Sequence, residues 1–140
     1  MYTIEEFDRE KTKVFKYIMF KKRAENEIRN KFKTQIQEEM LENIIEYLKE
    51  AGYINDYNFI EKQVNEYMNL KNMSIQEIKY KLMVKGIERK LIEKYIEDNI
   101  EELKEYERKS AEKIKTKKLA QMDEQEIKQY LYKKGYKVEM

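Results

Sequence analysis

Apolar positions recur with helical spacing along almost the whole chain. Phe7, Val14, Phe15 and Ile18 fall on one stripe of a first helix. In "EEMLENIIEYLKE" the apolar residues are Met40, Leu41, Ile44, Ile45 and Leu48. That i, i+1, i+4, i+5, i+8 order turns one helix face toward a core. In "KLIEKYIEDNIEEL" the corresponding set is Leu91, Ile92, Tyr95, Ile96, Ile100 and Leu103. No segment of useful length alternates as a strand would. Helix starts are predicted where a hydroxyl or carboxylate precedes an acid or amide by three residues: Thr3/Glu6, Thr34/Gln37, Ser74/Glu77 and Asp123/Glu126. In such a capping box the first side chain accepts an early backbone N–H and the second reaches back. Stops are predicted at Gly52, Gly86 and Gly135, because glycine takes the left-handed conformation beyond a helix end without a Cβ penalty.

The pattern repeats. "SIQEIKYKLMVKGI" (74–87) aligns with "DEQEIKQYLYKKGY" (123–136), Ile78 meeting Ile127, Leu82 meeting Leu131 and Lys85-Gly86 meeting Lys134-Gly135. "AENEIRNKF" (24–32) matches the same segment from the other side, with Ile28 at Ile78 and Phe32 at Leu82. Val14, Tyr17 and Ile18 likewise fall on Val64, Tyr67 and Met68. The chain therefore reads as all-α, in tandem three-helix repeats forming a curved, elongated array. The repeats are 1–52, 53–102 and a partial third of two helices, 103–140. A further helix would begin at "KVEM", where the chain ends, either because the protein is short or because this is a shortened form. "GYINDYNF" (52–59) is the joint between the first two repeats. Gly52 closes a helix, Tyr53 and Ile54 pack back as an apolar staple, Asn55 or Asp56 caps the next helix, and Phe59 opens its buried face. This turn chemistry accounts for every residue and asks no reaction of Asp56.

Composition narrows the chemistry. The 140 residues include no Cys, His, Pro or Trp. Disulfides, thiolate metal sites, thiol nucleophiles and imidazole bases are therefore excluded. No glycine cluster exists to bring backbone N–H groups onto a phosphate. The acids fall on polar helix faces, as at Gln37–Glu39 and Ile100–Glu102, without the cleft that general acid–base work needs. Neither an enzyme nor a cofactor or metal site is expected. Apolar runs are too short to span a bilayer, and "MYTIEEFDREK" lacks the layout of a signal peptide, so a cytoplasmic protein without membrane contact is expected.

Charge is distributed unevenly. The chain has 30 basic and 28 acidic residues, but 103–140 alone carries 11 and 7, a net of +4. That excess centres on "KSAEKIKTKK" and includes Lys113, Lys115, Lys117 and Lys118. In the second helix of each repeat, cations lie between inward-facing apolar residues: Arg29 and Lys31; Lys79, Lys81 and Lys85; Lys128, Lys133 and Lys134. Recurring once per repeat, they are candidates for contact with an extended anionic partner, most simply phosphates met without sequence readout. Ordinary solvated helix faces account for the same residues. Tyr80, Tyr130 and Tyr132 flank these cations. They fit base stacking or, equally, packing with the hydroxyl reaching water.

"LKEAGYINDYNFIEKQV" followed by "SIQEIKYKLMVKGIERKLIEKYI" resembles the core of the RecX family, bacterial regulatory proteins that modulate the RecA recombinase. The matching positions are Leu48, Gly52, Tyr53, Ile54, Asn55, Asp56 and Phe59, then Ile78, Leu82, Lys85, Gly86 and Ile87. Where many members place Gly or Arg before the second helix of the middle repeat, this chain has Met68, Asn72 and Ser74. The resemblance implies an all-helical, curved and modular protein with no catalytic centre, cofactor or metal; a monomer is expected. It would bind the filament of RecA on single-stranded DNA and inhibit its ATPase and strand exchange, with weak non-specific DNA binding of its own. The alternative from the residues alone is a helical-repeat scaffold with only a protein partner.

Overall fold

The computed structural model describes residues 2–137. The positions at "KVEM" beyond Lys137, where a further helix was expected to begin, lie outside them. Among the described residues every regular element is an α-helix. There are eight: α1 (Ile4–Phe20), α2 (Glu25–Phe32), α3 (Glu38–Glu50), α4 (Asp56–Leu70), α5 (Ile75–Val84), α6 (Arg89–Asp98), α7 (Ile100–Lys118) and α8 (Glu124–Lys133). None is long and apolar enough to cross a membrane. The chain forms two compact units. One runs to Phe59 and includes Lys85–Ile87; the other comprises Ile60–Val84 and the chain from Glu88 on.

In the first unit α1 and α2 pack on α3. The five predicted face residues of α3 are all buried, beside Val14, Ile18, Ile28 and Phe32. Ile44 is 0 % and Ile45 1 % exposed, so each contributes about 1.5–3 kcal/mol through burial. Phe7, Phe15 and Tyr17 are partly buried against this core. In the second unit α5 packs on α6 and α7, α6 on α7, and α7 on α8. Ile60, Val64, Ile78, Leu82, Ile92 and Leu103 are buried there, and Ile114, Ile127, Leu131 and Tyr136 cluster under α7 and α8.

Three of the four expected capping boxes form. Glu6 N–H donates to Thr3 Oγ1 at 3.1 Å, Glu77 N–H to Ser74 Oγ at 3.1 Å and Glu126 N–H to Asp123 Oδ1 at 2.9 Å. The expectation at Thr34/Gln37 is overturned: α3 starts at Glu38, and Gln37 stands at its cap with no side-chain bond. Between α2 and α3 the chain turns tightly, Gln35 and Ile36 both donating to the Phe32 carbonyl at 2.9 Å, and this turn buries Ile36. Thr34 falls inside the turn, too early to cap.

All three glycines have positive φ. At Gly52 and Gly135 the bonds of a Schellman motif close the preceding helix. Gly52 N–H donates to the Lys49 carbonyl at 3.0 Å and Tyr53 N–H to Leu48 at 2.8 Å. Gly135 N–H donates to Tyr132 at 2.9 Å and Tyr136 N–H to Leu131 at 3.0 Å. Ile54 packs back and is buried, while Tyr53 stays half-exposed with its ring edge-on to Phe15 at 4.9 Å.

Candidate functional site

The motif residues of the joint are structural in distinct ways. Leu48, Phe59, Ile78, Leu82 and Ile87 are core. Asn55 is the cap of α4, its Oδ1 accepting Asn58 N–H at 3.1 Å. Asp56 does something else: its carboxylate accepts the N–H of Glu25, the first residue of α2, at 2.9 Å. Helix α2 needs that acceptor, because Ala24 at its cap has no side-chain oxygen; only the return half of a box is present, Ala24 N–H donating to Glu27 Oε1 at 3.1 Å. Helix α5 is closed in the same way. The N–H of its first residue, Ile75, donates to Glu107 Oε2 at 2.7 Å, and Glu107 is buried despite its charge. A carboxylate 31 residues on serves α2 and one 32 residues on serves α5. Such charge-assisted bonds at a helix N-terminus also meet the positive end of the helix dipole. Glycine completes both joints: a Cβ on Gly86 would lie 2.8 Å from Asn26 Cγ, and one on Gly135 2.8 Å from Gln76 Cβ.

The candidate cations divide into held and exposed. Arg29 makes a two-pronged bond to Glu42 of α3, at 2.7 and 2.8 Å, and also pairs with Glu25 at 2.8 Å. Glu25 in turn pairs with Lys49 at 3.0 Å. The Glu42 bond chiefly raises the Arg29 pKa, and the same bond chiefly holds Glu42 below its ordinary value. Glu25 is also lowered: burial pushes it up, but its bonds to Lys49 and Arg29 outweigh that. Lys79 pairs with Glu93 of α6 at 3.3 Å. Arg29 and Lys79 thus tie their helices to the next one. Lys134 lies 3.8 Å from Glu77, and Lys118 and Lys134 both stand over the Tyr130 ring. Lys31, Lys81 and Lys85 lie over Tyr17, Tyr67 and Phe59 respectively. Lys113, Lys115, Lys117, Lys128 and Lys133 are exposed, and no carboxylate among the described residues pairs with them. Tyr80 and Tyr132 are exposed too, whereas Tyr130 is half-buried between its two lysines. No group of acids among the described residues is arranged to hold a metal ion.

Asp56 gives a prediction. Burial raises its pKa above 3.8, more than the Glu25 N–H bond lowers it. A carboxyl raised in the fold binds its proton more readily there than in the unfolded chain. Its contribution therefore falls as pH rises from 3.8 through the folded value. Glu25 and Glu42, being lowered, act oppositely and lose their contribution as pH falls below the ordinary carboxylate range. Asp56→Asn keeps the accepting oxygen and removes the buried charge. It is expected to match or exceed the parent at pH 7, while Asp56→Ala loses about 1–2 kcal/mol. Urea melts of both variants decide it: equal losses would mean that a neutral amide oxygen does not replace the Asp56 carboxylate as acceptor of the Glu25 N–H.

No family model matches the chain. It is 32% identical over 132 residues to the regulatory protein RecX of Caldanaerobacter subterraneus subsp. tengcongensis, covering 92% of this chain and 65% of that one. To the regulatory protein RecX of Clostridium beijerinckii it is 31% identical over 146 residues, covering 97% and 66%. The chain thus spans less than two-thirds of the length of these relatives. The crystal structure of RecX from Lactobacillus salivarius superposes with a TM-score of 0.80 at 23% identity, covering 96% of this chain and 91% of the other, and carries the same fold. With the glycine-closed joint at 52–59, the Lys-Gly-Ile turn at 85–87 and these relatives over nearly its full length, the chain belongs to the RecX family.

Proposed function

We propose that this chain binds the filament of RecA on single-stranded DNA and restrains its ATPase and strand exchange. It would act in the cytoplasm as a monomer, without a reaction, cofactor or metal of its own. The observation that carries the reading is the likeness to regulatory RecX proteins across more than nine-tenths of the chain. The family's action on RecA is what the resemblance implies. The basic end supports it: Lys113, Lys115 and Lys117 on α7 and Lys128 and Lys133 on α8 are exposed cations with no carboxylate partner among the described residues. Flexible lysines of this kind suit phosphates met at varying geometry. We also read α1–α3, α4–α6 and α7–α8 as two copies and a partial third copy of one three-helix unit. In this reading Arg29, Lys79 and Lys134 serve the fold, and binding falls chiefly to the cations of α7 and α8.

The test is the single-strand-DNA-dependent ATPase of RecA from the same organism as this chain is titrated in. Suppression at or below equal amounts is expected, weakened by Lys113→Glu with Lys117→Glu and unchanged by Arg29→Gln. A second reading, a scaffold with only a protein partner, is favoured by the pairing of Arg29 and Lys79 with acids of the chain itself. Salt separates the two. A phosphate-binding surface loses DNA affinity with a log–log slope of about −0.7 per phosphate neutralised. The scaffold shows no DNA affinity, and the ATPase is unmoved.

A further inference from the structure

The longest stretch of the chain without an acid is "KTKVFKYIMFKKRA" (11–24), and it holds six cations. A balance of 11 basic and 11 acidic residues over 1–52 conceals it. The fold sorts these cations. Lys11 and Lys13 pair with Asp8 and Glu10 at 3.4 and 3.3 Å. Lys16, Lys21 and Lys22 are exposed, and no carboxylate among the described residues pairs with them. Arg23 lies over the Tyr17 ring, its Cζ 4.1 Å from the centre, and the exposed Lys31 stands 5.8 Å from the same centre. The buried Nε of Arg23 has no acceptor among the described residues. The acids that bound the stretch are already engaged, Glu10 with Lys13 and Glu25 with Arg29 and Lys49.

Phe20 stands among these charges. It is the last residue of α1 and is 86 % exposed, whereas the other four phenylalanines are buried or half-buried. Lys21 beyond it is extended, at φ −159° and ψ 140°, so the chain leaves the helix there and the ring stays in solvent. The apolar stripe of α1 is spent on the core through Val14 and Ile18. Only Met19 and Phe20 project at this end, which is not the continuous apolar face that a helix lying on a membrane needs. An isolated ring set among unpaired cations suits a ligand with flat apolar faces and closely spaced negative charge. A nucleic-acid strand with unpaired bases has both, since every base offers a π-face and every linkage a phosphate. Helix α4 also ends on an exposed apolar residue, Leu70, but Leu70 has no ring and is followed by one cation, Lys71, before Asn72 and Met73.

We propose that the end of α1 is a contact for a single nucleic-acid strand: Phe20 stacks on one base, and Lys16, Lys21 and Lys22 take the flanking phosphates. Arg23 and Lys31, held over Tyr17, add positive charge beside them. A duplex, whose base faces are stacked on one another, offers nothing to the ring. The contact depends neither on RecA nor on the lysines of α7 and α8.

The probe is a fluorescently labelled oligodeoxythymidine, titrated by anisotropy with the full chain and without RecA. Phe20→Ala is expected to weaken binding about 5- to 150-fold, the effect of one base–aromatic stack. That loss should vanish on a strand of the same length built from abasic sugars, which keeps the phosphates and lacks the base faces. Lys21→Gln with Lys22→Gln should lower the log–log salt slope by about 1.4, whereas Phe20→Ala should leave the slope unchanged. Leu70→Ala, also at an exposed helix end, should leave the affinity unchanged. The altered side chains are exposed, and matched helicity and urea midpoints confirm that each variant folds as the parent does. Absence of binding to the strand at low salt overturns the contact. So does a Phe20→Ala loss that is nil, is matched by Leu70→Ala or persists on the abasic strand. Binding of phosphatidylserine vesicles that is lost in Phe20→Ala overturns it too, by assigning the ring to a membrane. Suppression of the RecA ATPase by a chain that does not bind the free strand would overturn this contact and leave the proposed function standing; binding without suppression would do the reverse.

Discussion

Truncating Leu82 to alanine is expected to cost about 2–5 kcal/mol, a large share of the roughly 5–15 kcal/mol that holds a domain folded. Leu82 is 0 % exposed, one turn after the buried Ile78, on the helix that packs on both α6 and α7. Removing its isobutyl group loses the burial of those atoms and leaves a cavity that surrounding helices close only in part. The next two residues provide the control. Met83 is 42 % and Val84 68 % exposed. Met83→Ala and Val84→Ala should each change stability by no more than about 0.5 kcal/mol, as surface substitutions do. Urea titrations of the three variants read the phase of α5 directly. A loss at Leu82 no greater than at Met83 would mean that α5 is turned differently from the core described above.

That phase is legible in the sequence. Spacing alone places Ile28, Phe32, Ile78, Leu82, Ile127 and Leu131 inward, and all six are buried. Spacing suffices here because an amphipathic helix has one way to hide its apolar stripe. The glycine stops were legible for the same local reason. What stayed hidden depends on residues far apart. Nothing near Glu25 or Ile75 announces that carboxylates 31 and 32 residues on will accept their N–H groups. Asp56 accordingly reads as a turn residue, and nothing in the sequence singles out Glu107 among the acids of the chain. Thr34 misled because a capping-box spacing says nothing about the intervening turn that buries Ile36.

The cations were half legible. A wheel places Arg29 and Lys79 outside the apolar stripe, as it does Lys128, and so groups all three as a recurring outward charge. The folded chain separates them: two reach across to Glu42 and Glu93, and the third has no acid to meet among the described residues. The signal that distinguishes them is present in the sequence. It lies in the matched heptapeptides at 40–46 and 91–97, each with Glu at its third position. Reading it requires pairing the register of one helix with that of the next, which a single-helix periodicity cannot do. Exposed charge and inter-helix tie are therefore distinguished by partner register, and of these candidate cations those of α7 and α8 remain for outside contact.

Replacing Gly86 by valine is expected to destabilise by about 3 kcal/mol or more, from two separable causes. The first is backbone conformation. Gly86 has φ of +84°, and an L-residue there brings its Cβ against the following carbonyl at a cost of about 1–2 kcal/mol, more when β-branched. The second is space. A Cβ would lie 2.8 Å from Cγ and 3.1 Å from Cβ of Asn26; the amide end can swing aside, whereas the Asn26 Cβ is fixed to α2. Gly52 isolates the first cause, since its φ is +85° and nothing lies within 4 Å of its would-be Cβ. Gly52→Ala should therefore lose the conformational part alone, and Gly86→Ala should lose more by the contact with Asn26. Adding Asn26→Gly to Gly86→Ala should recover part of that difference, beyond the helix-propensity cost of about 0.3–0.5 kcal/mol that Asn26→Gly carries alone. The measurement is a double-mutant cycle by urea unfolding. Equal losses at Gly52 and Gly86 with no coupling to Asn26 would show that the turn at 85–87 does not press on the start of α2. A favourable coupling would establish that this glycine serves the joint between the two segments as well as the end of its own helix.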